Sequence, residues 1–369
     1  MKQSMIVVAL LAVASPAHAQ LGGILNKAQK IQETKSKFDD LNVTEEEERT
    51  IGEQVSVKIR QRFGVVQDQA IHKYVTLVGT LLAQQSERPN LAWTFIVLDT
   101  DGVNAFASPG GIVHITRGAL GLIQSEAELA GVLAHELGHV AHKHTVNAIR
   151  KGKAVQLGSS ETLSSRGPFL DKIANKAYDI VLENKFDRND EMDSDRVSLS
   201  LAEKAGYAPG KLADFLTRLD ERNKDQPASN GLFASHPDTQ ARIEAIRKLA
   251  GSKNGAVVEA RYKSHVKYTP TPVTAIATVE DGASGLTGST KAGDKKEDAK
   301  KEEEPKKKGF GLGGLKQAVA PERQSAQVSA SGGSRGVGPD RAAKGGSNPV
   351  PVKVTVSNAE VAEFKRGVV

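Results

Sequence analysis

No cysteine occurs anywhere in the 369 residues. Disulfide stapling is therefore excluded, and so is anchoring through a lipidated N-terminal cysteine. Aromatic residues are scarce at 4%, while glycine is frequent at 35 residues, so part of the chain has too little apolar bulk to join a core. No stretch approaches the roughly 18 consecutive apolar residues of a membrane span. There is also no repeat of tetratricopeptide period.

One short apolar run is present at the N-terminus. Lys2 precedes Met5–Ala14, and Ala17-His18-Ala19 follows. A positive start, a short apolar run and an A-x-A site read as a secretory signal over 1–19, cleaved after Ala19. The expected address is the periplasm, with the external medium as the alternative. The mature protein is expected to have no integral membrane span.

The net charge of +6 is unevenly distributed. Residues 291–369 carry 16 Lys and Arg against 10 Asp and Glu, and the rest of the chain balances at 34 against 34. Nucleic acid is not an expected partner of an exported chain. The basic end suits peripheral contact with an anionic envelope surface, or serves simply as a solvated linker.

The order of patterns divides the chain. Residues 20–43 form a weakly amphipathic segment, with Ile24, Ala28, Ile31, Phe38 and Leu41 on one side. Thr44 and Glu47 spell a capping box for a helix reaching Arg62 and closed by Gly64. A helix over 68–85 follows, then strands at 91–98 and 112–116. Ser125 and Glu128 form a capping box for the next helix. Residues 152–187 read as an insert with a helix near 170–182, either a lid or a plain connection. Further helices are expected at 190–205, 209–221 and 238–249, so the folded domain spans 44–250. Residues 251–288 read as a peripheral extension with one or two strands. Residues 289–348 are a low-complexity linker, disordered by composition. In the last element, 349–369, Pro351–Val356 suggests a strand, and Ser357 with Glu360 a capped helical turn.

The densest chemistry lies in His135-Glu136-Leu137-Gly138-His139, within the apolar stretch 128–142. Four residues turn an α-helix by about 400°, so both imidazoles leave one side. Two nitrogens so spaced can bind one Zn²⁺, and Glu136 can act as general base on a water that the metal activates. A third ligand is required. His142, one turn on, crowds the same side of the metal and reads better as a surface or supporting histidine. Glu191 and Asp195 share one face of a downstream helix, so Glu191 can take the metal while Asp195 orients a ligand imidazole. Glu161 is the competing carboxylate, but it lacks an acidic neighbour four residues on.

Several ordered motifs now carry a resemblance: Asn104–Gly111 with Ile112–Gly118, Glu128–His139, Glu191 with Asp195, Ala205–Pro209, and Ser235-His236-Pro237 with Arg242. Over roughly 45–250 the chain resembles the HtpX-like zinc metalloprotease family, which includes the CAAX prenyl endopeptidases and soluble periplasmic members. The resemblance implies an α+β gluzincin fold, mostly helical around a small sheet. It also implies one Zn²⁺ per chain on His135, His139 and Glu191, and an active-site role for His236, read here as an oxyanion donor. One departure is Asp193-Ser194, where the family often has Glu-Ala.

The expected activity is zinc-dependent cleavage of unfolded or misassembled envelope polypeptides. Asn104, Ala105, Phe106 and Ala107 are expected to form an exposed edge strand to which an extended substrate adds. Two other readings stay open. One is a metal-stabilised chaperone or scaffold, which needs the ligands but not Glu136; the other is a hydrolase of cell-wall peptides.

Overall fold

The computed structural model describes residues 43–153, 166–183, 186–222, 239–270 and 348–368. The first helix, α1 (Glu45–Phe63), starts at the Thr44–Glu47 capping box and places four glutamates in its first turn. It stops at Gly64, whose φ of 75° suits glycine. Asp68 caps α2 (Gln69–Ala83) by accepting the Ala70 and Ile71 N–H groups.

The sheet has three strands, β1 (Thr94–Leu98), β2 (Ala105–Ser108) and β3 (Ile112–Thr116), in the order β1-β3-β2. β1 runs parallel to β3, with Thr94 opposite Ile112, while β2 and β3 form an antiparallel hairpin. β1 begins three residues later than Leu91, because the chain turns there and Trp93 donates its indole N–H to the Arg88 carbonyl at 3.0 Å. Helices then follow as α3 (Arg117–Leu122), α4 (Glu126–Ala141), α5 (His144–Lys153), α6 (Arg166–Glu183), α7 (Arg188–Ala205), α8 (Lys211–Arg222) and α9 (Thr239–Ala250). Ser125 caps α4, but the Glu128 carboxylate takes the Gln124 N–H instead of completing the box. The fold is α+β, mostly helical around this small sheet.

Both faces of the sheet are covered. Phe95, Val97, Ala105, Val113 and Ile115 point into a core with α2, α4, α7, α8 and α9. Ile96, Leu98, Phe106 and Ile112 point the other way, into a core with α1 and α6. The period of two along each strand feeds both layers. This overturns one expectation. β2 is the edge strand, yet Asn104, Ala105, Phe106 and Ala107 are no more than 3% exposed. Helices α1, α4 and α6 pack against β2, and Phe106 stacks on Phe63 at 5.8 Å.

Helix α4 is buried at every position from Glu126 to Val140, so it is the central element. Two glycines let neighbours approach it. A Cβ on Gly138 would lie 3.0 Å from the Ser194 Cα of α7, and one on Gly131 would meet Leu212 of α8. The close α4–α7 contact places the two motif-bearing helices side by side.

Two further expectations fail in part. Instead of strands, the described part of 251–288 has a single bridge, Tyr207 with Ala256, and a helix, α10 (Glu259–His265). Residues 351–356 join no sheet, although Ser357 and Glu360 do cap a helix, α11 (Asn358–Arg366). This last segment packs back on the domain. The Asn348 carbonyl accepts the Val65 N–H at 2.7 Å, and Glu360 pairs with Lys73 of α2 at 2.7 Å. Val361 and Val368 lie in the same core as α2 and α4. Among the described residues no helix is long and apolar enough to cross a membrane. The signal at 1–19, the segment 20–42, Glu161, His236 and the linker to residue 347 lie outside the described residues.

Candidate metal centre

His135, Glu136 and His139 occupy the buried middle of α4, and Glu191 and Asp195 the facing side of α7. The two Nε2 atoms stand 3.1 Å apart. Each is 3.4 Å from a Glu191 oxygen, His135 from Oε2 and His139 from Oε1. Donors around a tetrahedral metal with bonds near 2.0–2.1 Å lie about 3.3 Å apart, so this set fits one ion. Among the described residues it is one of two groups of side chains with metal-ligand spacing. Buried charge points the same way. Three buried carboxyl groups, Glu136, Glu191 and Asp195, face a single guanidinium, Arg242, a surplus of acidic side chains of the kind a cation site presents.

Arg242, on α9, organises the acidic side. Its Nε and Nη2 donate to the two Asp195 oxygens at 2.8 and 2.7 Å, and its Nη1 lies 2.9 Å from Glu191 Oε2. Asp195 Oδ1 in turn lies 2.9 Å from His135 Nδ1. With a proton on Nδ1, the His135 Nε2 lone pair is directed at the space shared with His139 Nε2 and Glu191. Burial alone would raise the Asp195 carboxyl, but the charge and hydrogen bonds of Arg242, with that of His135, hold it at about 2. Burial and the Arg242 charge disfavour protonated His135. Hydrogen bonds to Asp195 and Glu191 outweigh them and raise it to about 9.

The helix carrying the histidines ends at His142, and Lys143 turns the chain with φ 56°. That turn brings His144 back beneath His139, with Nδ1 to Nδ1 at 3.0 Å. His144 Nε2 lies 3.2 Å from Asp193 Oδ2, an oxygen that His142 Nδ1 also contacts. His142 is thus tied to Asp193 and stands apart from the ligand set. His142, His144 and Asp193 are the second group with metal-ligand spacing. Nothing in the sequence pattern marks His144 as part of the site. It sits five residues after His139, beyond a helix break, where helical spacing places nothing. Phe186 closes the other side, its ring centroid 4.1 Å from that of His139.

Of the substrate-facing residues read from the sequence, Asn104 is buried and its Oδ1 accepts the Ala105 N–H at 2.8 Å. Ala105, Phe106 and Ala107 belong to the buried β2.

Comparison with known proteins agrees with this geometry. Residues 69–250, just under half of the chain, match the profile described as Peptidase family M48, so this segment is similar to the metallopeptidase domains of that family. It is 21% identical over 217 residues to the beta-barrel assembly-enhancing protease of Yersinia pestis, covering 56% of this chain and 44% of that one. It is 27% identical over 185 residues to the mitochondrial metalloendopeptidase OMA1 of Arabidopsis thaliana, covering 49% and 36%. It is also 27% identical over 159 residues to the metalloprotease YcaL of Escherichia coli, covering 42% and 61%. The chain spans less than half the length of the beta-barrel assembly-enhancing proteases it matches.

Proposed function

From the similarity of 69–250 to the metallopeptidase domains of family M48, we propose that the chain is an exported zinc endopeptidase that cleaves unfolded or misassembled envelope proteins. The observation that carries this reading is the convergence of two imidazole Nε2 atoms and one carboxylate beside a further buried carboxylate, Glu136.

His135, His139 and Glu191 would hold the ion, a His₂Glu set of the kind catalytic zinc takes. When bound, the ion supplies Lewis acidity to a peptide carbonyl and acidity to a water. Glu136 is next in sequence to His135 but is not one of the three donors. Its carboxylate takes the proton of the attacking water and returns it to the departing amine. Asp195 and Arg242 keep His135 in the tautomer that offers Nε2. His236 is the candidate oxyanion donor.

The names of the matched relatives and the N-terminal signal pattern support the envelope setting and the periplasmic address. The basic surplus of 291–369 supports peripheral contact with an anionic surface. The retained base argues against a scaffold, which would need only the ligands. The test is turnover by the zinc-loaded protein of casein against purified cell wall. Casein cleavage with intact cell wall is the expected result. Cell-wall release without casein cleavage would move the chain to the cell-wall reading, and neither activity would favour the scaffold.

A further inference from the structure

We infer that His144 is a positioning residue that fixes the tautomer of His139, and that this role bars the His142–His144–Asp193 cluster from holding a second metal. The inference rests on the proposed metal centre and deepens it.

His139 Nδ1 and His144 Nδ1 are 3.0 Å apart. Two lone pairs at that distance repel and two N–H groups clash, so one proton lies between them. His139 Nε2 faces His135 Nε2 and Glu191, and only its lone pair can bind a metal there. The proton of neutral His139 is then on Nδ1, and His144 Nδ1 accepts it. Neutral His144 must in consequence carry its own proton on Nε2. That nitrogen points at Asp193 Oδ2 at 3.2 Å, with Asp190 Oδ1 at 3.9 Å, so the proton meets carboxylates. Ser194 Oγ, 3.3 Å from His144 Nδ1, is close enough to share that acceptor. Every position in the chain His139, His144, Asp193 is consistent with this one arrangement.

The same proton placement excludes the second site. A metal on His142, His144 and Asp193 requires the His144 Nε2 lone pair. The His144 proton would then sit on Nδ1, His139 Nδ1 would have to accept, and His139 Nε2 would be protonated and lost to the first metal. With neutral imidazoles the two sites cannot be filled together. The centre is therefore braced twice from α7. Asp195 holds His135 directly, and Asp193 holds His139 through an interposed imidazole. Outer partners of this kind typically contribute about 10–100-fold in metal affinity.

The test compares full-length wild type with His144→Asn, His144→Gln and His144→Leu. An Asn places its amide oxygen where Nδ1 stands and can still accept from His139. A Gln reaches the Nε2 position and leaves Nδ1 unreplaced, and Leu removes both. Zn²⁺ affinity is measured by chelator competition, Co²⁺ loading by its visible spectrum, and stoichiometry by elemental analysis. Wild type is expected to bind one ion, Gln and Leu about 10–100-fold more weakly with an altered Co²⁺ spectrum, and Asn within about threefold of wild type. If Leu does not fold, the Asn and Gln pair decides. Equal affinity in Asn and Gln would overturn the role, as would a second ion per chain that His142→Asn removes. A wild type that binds no metal would instead defeat the proposed function.

Discussion

Glu191 is the residue on which the proposed metal set turns, because the two histidines alone leave a site one ligand short. It is fully buried, and it meets both imidazoles and the Arg242 guanidinium. Glu161, the competing carboxylate, has no such support in sequence. Glu191→Ala is expected to purify without stoichiometric zinc, and Glu161→Ala with it, as elemental analysis reports. The reverse pattern would move the third ligand to the insert. At this scale much of the site was legible. His135, Glu136 and His139 lie within one turn of one helix, the two histidines four positions apart, and Glu191 and Asp195 are four positions apart on another, so local periodicity carries them. His144 was not legible, because its place depends on the left-handed turn at Lys143. The burial of Asn104–Ala107 was not legible either, since an edge strand is covered only when distant helices pack on it.

Among the elements, the end of α4 is fastened by a buried ionic clamp. Glu48 of α1 accepts from Arg88 at 2.8 Å, from the Gly110 N–H of the β2–β3 turn at 3.1 Å, and lies 3.1 Å from Lys143. Arg88 also donates to the Val140 carbonyl of α4 at 3.2 Å. One carboxylate thus joins α1, the hairpin and the helix that bears the histidines. Burial opposes its ionisation, but hydrogen bonds and charge from Arg88 and Lys143 prevail and hold its pKa below the ordinary 4.5. A depressed carboxylate stabilises the fold above its unfolded pKa and loses that contribution as pH falls through the folded value. Glu48→Gln is therefore expected to lower stability by roughly 2–3 kcal/mol at pH 7, with the difference from wild type shrinking below about pH 4.5. Urea unfolding of both proteins across that range measures it. A pH-independent difference would mean that Glu48 acts through shape alone. The helices themselves were readable from caps and periods. This clamp was not, because it joins residues up to 95 positions apart.

In the whole molecule, composition places the end of the folded domain near residue 250, yet the core also takes in residues from the far end. Val361 and Val368 are buried with α2 and α4, Phe364 lies 4.0 Å from the Arg261 guanidinium, and Arg60 and Gln67 donate to the Pro349 and Val350 carbonyls. A low-complexity stretch hides such a return, since nothing local in 349–369 says what it packs on. Deleting 348–369 is expected to cost about 3–5 kcal/mol from the lost valines and half-buried Phe364, lowering Tm by roughly 10 °C. Val361→Asp should do much the same, and the exposed Ala362→Asp should not. Calorimetry that finds the deletion unchanged would place the segment outside the cooperative fold.

In the proposed reaction the buried metal centre works with Glu136 as its base. Zinc content and casein cleavage, measured in the same preparations of wild type and Glu136→Gln, decide this. The amide keeps the size and burial of the side chain but cannot take a proton. One zinc per chain is expected in both proteins, with turnover in the variant reduced by at least about 10²-fold. A variant that keeps its zinc and cleaves casein within about threefold of wild type would rule out Glu136 as the base.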